Sequence, residues 1–320
     1  MKHLENFTII IPCISFKDVK KSLINIRKLY KTVKIIVCLN QKMKPTKDRN
    51  LYFINTKAKG IGEKRNLAVK KAKTKYLAFI DSDAYPSKGW LESNLKLIEN
   101  KKIGIIAGPH IDPIKQTLEE SIIGQVKKSF IITMNPSLQK KNQEKKRFVS
   151  FMPSCNWIMK KKNFLKFGCM DSNMKRNEDW DFVYNKMAKN NYKILYNPKS
   201  KIYHENYSII HFIKKRFLYG FYMMPILKKI NINNLYFLIP LIFSIFLISF
   251  PLVYYSEMYK QLYISTIIVY FLIVLFESFR VSKNIFLSPL VFLIMIFGNI
   301  APGFGILIGI FNINIKELEV

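Results

Sequence analysis

The chain has 320 residues, enough for one medium-sized catalytic domain with an appendage or for two ordinary domains. It carries 52 Lys and Arg against 21 Asp and Glu, a net charge of +31, which favours anionic partners: nucleic acid, an acidic membrane surface or phosphorylated substrates. The four cysteines (Cys13, Cys38, Cys155, Cys169) show no CxxC spacing and no metal pattern with histidine, so they read as free thiols in a reducing compartment, and the first residues hold no apolar stretch long enough for a secretory signal.

In chain order, residues 7–14 form a short β-branched apolar run, as expected for a buried strand of a parallel sheet. Residues 17–30 place Val19, Leu23, Ile26 and Tyr30 at helical spacing, residues 34–39 read as a second strand and residues 51–54 as a weaker third. Residues 62–73 are predicted to be helical, and the strand 76–80 ends directly on Asp81-Ser82-Asp83. Strands alternating with helices predict a doubly wound α/β sheet, whose ligands sit at the carboxyl ends of the strands. Two carboxylates at i and i+2 in that place suit Mg2+ or Mn2+, hard cations that bridge to substrate phosphates; the plain alternative is a polar turn. The basic stretch 139–147 is the only low-complexity segment. A second acidic group, Asn177-Glu178-Asp179-Trp180-Asp181, precedes a predicted helix over 182–189. Carboxylates there serve as helix caps, and one held near a metal is also placed to deprotonate an attacking hydroxyl.

Residues 207–229 mix Ile, Phe, Tyr and Met with Lys and Arg, the composition of an interfacial helix lying between acyl chains and phosphates. Three apolar segments follow, 235–255, 262–279 and 286–311, the first long enough at about 1.5 Å per residue to cross a bilayer core of about 30 Å. Pro302, Gly303 and Gly305 interrupt the third, which predicts a kinked or re-entrant span. From Leu235 onward the charges cancel, so the whole excess lies on residues 1–234, and the positive-inside rule places that part in the cytoplasm. The domain division expected is therefore 1–206 catalytic, 207–234 interfacial and 235–320 transmembrane, in a multi-pass protein of the plasma (inner) membrane.

Five blocks in order over residues 6–222 carry a resemblance: FTIIIP; GIGEKRNLAVKKAKTKYLAFIDSDAYPSKGWL; PSCNWIMKKKNFLKFGCMD; NEDWDF; and YKILYNPKSKIYHE. Together the sequence resembles glycosyltransferase family 2, which implies a GT-A fold with a Rossmann-like mixed sheet. The resemblance further implies these roles: Pro12 lining the nucleotide pocket, Asn40 on the base side, Lys64 and Arg65 toward the donor phosphates, and Asp81 at the ribose or base. Asp83 would hold the metal with His204, Asp179 would be the general base with Glu178 as the second candidate, and Trp180 and Asn156 would face the acceptor. Asn40 departs from the family, which has an aspartate there, and FGCMD replaces Gly-Gly-Phe-Asp. No Gln-x-x-Arg-Trp motif of processive synthases occurs, so addition of a single sugar is expected.

The expected function is inverting transfer of a sugar from a nucleotide-diphosphate donor to a hydroxyl of a lipid-linked glycan, in cell-envelope or surface polysaccharide synthesis. A polyprenyl-phosphate glycosyltransferase is the nearest alternative. A non-catalytic membrane-tethered binder of anionic lipid or nucleic acid is the alternative of another class; it explains the charge but not the grouped carboxylates, and nucleic acid is not an expected partner.

Overall fold

A computed structural model of the chain describes residues 3–133, 145–228, 235 and 238–311. The chain divides into two compact units, residues 1–113 with 137–205, and residues 114–136 with 206–320.

The first unit is built on strand β1 (Phe7–Pro12). Successive strand side chains point to opposite faces, so Phe7, Ile9 and Ile11 join one core with Val19, Leu23 and Ile26 of α1 (Phe16–Leu29). On the other face Ile10 packs with Ile36 of β2 (Lys34–Leu39) and with Ala68 and Val69 of α2 (Ile61–Lys71), beyond β3 (Leu51–Asn55) in the chain. Then come β4 (Tyr76–Ile80), β5 (Ala84–Pro86), β6 (Ile103–Ala107) and β7 (His110–Ile111). Here the chain leaves for α3 (Leu118–Val126) and α4 (Phe130–Thr133), which belong to the second unit. It returns through β8 (Arg147–Val149), β9 (Asn156–Lys160), α5 (Lys161–Lys166), α6 (Glu178–Asp181), β10 (Lys193–Tyr196) and β11 (Ile202–His204).

The main sheet has the order β3-β2-β1-β4-β9-β6-β10-β8. It is mixed: β9 runs antiparallel to β4 and β6, and β8 antiparallel to β10. A second sheet, β5-β11-β7, sits just past the carboxyl end of β4. Strands 34–39 and 76–80 have the bounds the sequence predicts. The helix predicted over 182–189 starts earlier, because Glu178–Asp181 is its first turn, and it continues as a wide π turn over Phe182–Met187. Such turns are rare and gather at functional sites.

The second unit is helical: α3, α4, α7 (Ile209–Phe221), α8 (Met224–Leu227), α9 (Ile239–Ile248), α10 (Glu257–Val281) and α11 (Ser288–Ile310). Ile122, Ile123, Val126 and Ile132 form one core with Phe212, Val274, Val281, Val291, Ile294 and Met295. Among the described residues two helices are long and apolar enough to cross a membrane, Glu257–Val281 and Ile285–Ile310. The first segment predicted to span, 235–255, does not form one such helix. α9 stops after ten residues, about 15 Å, and a 3-10 turn carrying Pro251 follows. Proline has no amide for the helical ladder and crowds the preceding residue out of helical geometry.

Within segment 207–229, expected to lie in the lipid interface, helix α7 packs along α11. A Cβ on Gly305 would stand 2.1 Å from the Phe217 carbonyl oxygen, one on Gly309 2.5 Å from that of Phe221, and one on Gly220 1.9 Å from that of Pro302. The contacts advance in the same direction on both helices, so the two run parallel. Pro302 lies inside α11 without ending it. Its missing amide leaves the carbonyl of Gly298, four residues back, without a helical donor, and the Arg216 Nε–H of α7 donates to that oxygen at 2.9 Å.

Candidate active site

Strand register assembles the site. Ile80 of β4 pairs with Asn156 of β9, which sets Cys155 beside Asp81 just past both strand ends. His204 of β11 pairs with Ala84 of β5, and the Glu205 amide donates to the Asp83 carbonyl at 3.0 Å. These bonds hold the His204 Nε2 3.5 Å from the Asp83 Oδ1. β7 pairs in parallel with β11 and adds His110 beside Ile202, with its ring 6.0 Å from that of His204 and nearly parallel to it.

Arg65 ties the two acidic motifs together. It is 1% exposed, and its guanidinium donates to Asp81 Oδ1 at 2.7 Å and to Glu178 Oε1 at 3.0 Å. Burial pushes the Glu178 carboxyl up to about 7, the neighbouring Asp179 adds to the rise, and Arg65 opposes it. Asp179 is half-buried; its Oδ2 accepts from the amide of Ser154 at 3.2 Å and from the Ser154 hydroxyl at 3.3 Å, and its Oδ1 accepts from the Trp180 amide at 2.9 Å. Desolvation raises its carboxyl too, against the pull of Arg65. Asn177, at a φ of 65°, turns the chain into this helix, a left-handed conformation that asparagine tolerates better than most residues.

Three predicted roles change on this geometry. Lys64 does not point outward: it is 2% exposed, and its Nζ donates to the Cys13 carbonyl at 2.8 Å and to Asn40 Oδ1 at 2.6 Å. Asn40 in turn donates to the carbonyls of Thr56 and Ala58, so the pair ties together the loops after β1, β2 and β3. Arg65 is engaged by carboxylates rather than facing phosphates. Asn156 does not face an acceptor. It is fully buried, its Oδ1 accepts from the Trp90 indole at 2.9 Å, and its Nδ2 donates to the carbonyls of Gly108 and Ser200. Pro12 closes β1 and is buried, opposite Cys38. Trp180 is half-buried and stacks on Phe151, at 3.7 Å, and on Tyr184, at 5.1 Å.

The set also includes residues that the sequence does not single out, Cys155, His110 and Ser154. Among the described residues one group of metal-ligating atoms comes together, Asp81, Cys155 and His204, all within 4.8 Å of one another. A divalent cation fits here on the chemistry of the donors. The His204 Nδ1 lies 2.8 Å from the Glu205 carbonyl, which only accepts, so Nδ1 donates there and Nε2 is the nitrogen turned toward Asp83. A carboxylate, a thiol sulfur and an imidazole nitrogen are all metal-ligating groups.

The main sheet is thus a mixed α/β sheet with Asp81 and Cys155 just past its strand ends. Residues 29–168 match the family model Glycosyl transferase family 2. Among solved structures the chain is similar to GalNAc-T7 with UDP, GalNAc and Mn2+, at 14% identity and a TM-score of 0.47, over 64% of this chain and 44% of that one. It is also similar to S. aureus TarS, at 18% identity and a TM-score of 0.43, over 67% of this chain and 39% of that one. Residues 1–349 of S. aureus TarS in complex with UDP-GlcNAc give 17% identity and a TM-score of 0.42, over 62% of this chain and 57% of that one. The chain therefore spans less than two-thirds of the length of each of these structures. No curated protein matches the chain.

Proposed function

We propose that the protein is an inverting glycosyltransferase that moves one sugar from a nucleotide-diphosphate donor to a hydroxyl of a lipid-linked glycan at the cytoplasmic face of the plasma membrane. The observation that carries this reading is that a buried Arg65 bonds both Asp81 and Glu178, while His204 lies against Asp83 and within 4.8 Å of Asp81, from chain segments far apart in sequence.

Asp83 and His204, with Asp81, would hold Mg2+ or Mn2+, which when bound supplies positive charge for a leaving nucleoside diphosphate. Asp179 takes the proton of the acceptor hydroxyl. Ser154 and the Trp180 amide fix its carboxylate, and desolvation raises it toward neutrality, where a general base is more effective. Glu178 is buried and bonded to Arg65, so it positions that arginine and, through it, Asp81. The Lys64–Asn40 bond shapes the base side of the pocket, where the family has an aspartate. Trp180, stacked on Phe151 and Tyr184, forms the acceptor wall.

The helices Glu257–Val281 and Ile285–Ile310 are read as membrane spans. A membrane location suits a lipid-linked acceptor and a role in cell-envelope or surface polysaccharide synthesis.

Asp179→Asn tests the assignment. Transfer to acceptor should fall by about 100-fold or more, while donor binding, measured by calorimetry with Mn2+, stays within a few-fold. Full transfer activity in this variant would remove Asp179 from the reaction.

A further inference from the structure

We propose that Cys155 and His110 give this centre a sulfur-bearing metal pocket, completed by His204 and Asp81, that takes a thiophilic divalent cation such as Zn2+ and disfavours Mg2+. The proposal rests on the reading of Asp81 and His204 as the donor-metal side of the site.

Four chain segments bring the ligands together. Cys155 Sγ lies 3.5 Å from the His110 Nε2 and 3.7 Å from its Nδ1. The same sulfur lies within 4.8 Å of a carboxylate oxygen of Asp81 and of a ring nitrogen of His204. Zinc bonds of about 2.0–2.3 Å in a tetrahedron set neighbouring ligand atoms somewhat under 4 Å apart, so small side-chain rotations bring Asp81, Cys155 and His204 together, and His110, already beside the sulfur but outside that group, turns further to join them. The backbone does not need to move, because the Ile80–Asn156 pairing holds Cys155 and the β5-β11-β7 sheet holds both histidines.

The donor types then separate the metals. Asp81 and Asp83 offer hard oxygens and by themselves suit Mg2+ or Mn2+. A thiolate and two imidazoles are softer, and Mg2+ gains little from them, whereas Zn2+ and Co2+ bind both well. Ligation requires the thiolate, so the Cys155 proton leaves to solvent as the metal enters. Asp81 and His204 belong to both ligand sets, so a cation drawn toward Cys155 and His110 competes with one seated between Asp83 and His204.

The experiment uses the full chain in detergent with metal alone. Co2+ is added and the sulfur-to-cobalt charge-transfer absorption is read; Zn2+ affinity follows from displacement of that band. Mn2+ binding is measured separately by the loss of free-ion paramagnetic resonance signal. The wild-type protein should show the sulfur band. Cys155→Ser should abolish it and weaken Zn2+ by about tenfold or more, and His110→Ala should weaken Zn2+ by about tenfold, with Mn2+ affinity changed by less than about threefold in both. Bound Co2+ without a sulfur band in the wild type would overturn the proposal, whatever the variants do. So would Zn2+ affinity unchanged in a folded Cys155→Ser or His110→Ala. A sulfur band without Mn2+ binding would support the sulfur pocket and count against the donor-site reading instead.

Discussion

The bond from Arg216 to the carbonyl of Gly298 exists because of Pro302, and that dependence can be measured. With proline at 302 the Gly298 oxygen has no helical donor, and the Arg216 Nε–H supplies one at 2.9 Å. Arg216→Met keeps an apolar stem but removes the donor. A hydrogen bond from a charged group is worth about 1.5–3 kcal/mol, and an orphaned carbonyl in apolar surroundings costs about 1–3 kcal/mol, so the substitution should destabilise the helical unit by about 2 kcal/mol. Pro302→Ala restores an amide at 302 that bonds the same oxygen. In that background Arg216→Met should cost less than about 1 kcal/mol, leaving a coupling energy of about 1–2 kcal/mol between two residues that are 86 positions apart in the sequence. The assay is unfolding in mixed micelles by denaturing detergent, on the wild type, both single variants and the double variant. Equal costs of Arg216→Met in the two backgrounds would refute the reasoning, because the arginine would then contribute by packing alone.

Two further outcomes follow from the catalytic unit. Arg65→Met strands Glu178, whose side chain is 7% exposed, and breaking such a buried pair costs about 3–5 kcal/mol. The Glu178 carboxyl, already up to about 7 from burial, then rises further; a raised acid favours the protonated native state, so stability is lost as pH climbs from the ordinary carboxylate range through that value. Thermal melts should therefore show a larger loss near about pH 8 than near about pH 6, and an equal loss at both would contradict the assignment. Gly62→Ala would ordinarily gain about 1 kcal/mol in a helix. Here the new Cβ would meet Glu178 Cγ at 2.9 Å and Met170 Cβ at 3.2 Å, so a loss of about 1–3 kcal/mol together with reduced transfer is expected; a more stable, fully active variant would show that Glu178 moves freely.

Local pattern carried much of the fold. The apolar runs of β1, β2 and β4 specify buried strands whatever surrounds them, and the carboxylates after β4 and at the head of α6 are visible as motifs. Direction within the site was not visible. Lys64 and Arg65 are adjacent in sequence, yet one donates to Cys13 and Asn40 and the other to Asp81 and Glu178, a difference set by helix phase against the sheet. Asn156 has the side chain of a ligand-binding residue, and only its burial beside Trp90, Gly108 and Ser200 shows it to be a structural tie. Cys155 and His110 lie 45 positions apart with no spacing signature, and they meet because β9 runs antiparallel between β4 and β6. The break within 235–255 was not visible because hydropathy counts Pro251 as one residue among many, whereas the hydrogen-bond ladder has no donor there.

The excursion of residues 114–136 into the helical unit means that the polypeptide passes between the two units three times. Neither unit is a contiguous stretch of gene. A fragment ending near residue 206 would keep Ile122, Ile123, Val126 and Ile132 but lose Phe212, Val274, Val281, Val291, Ile294 and Met295, which complete their core. Dissection at the apparent hydropathy boundary therefore yields a catalytic piece with an adhesive apolar face. Exchanging the anchor with that of another transferase, by recombination or by design, requires two matched segments to travel together.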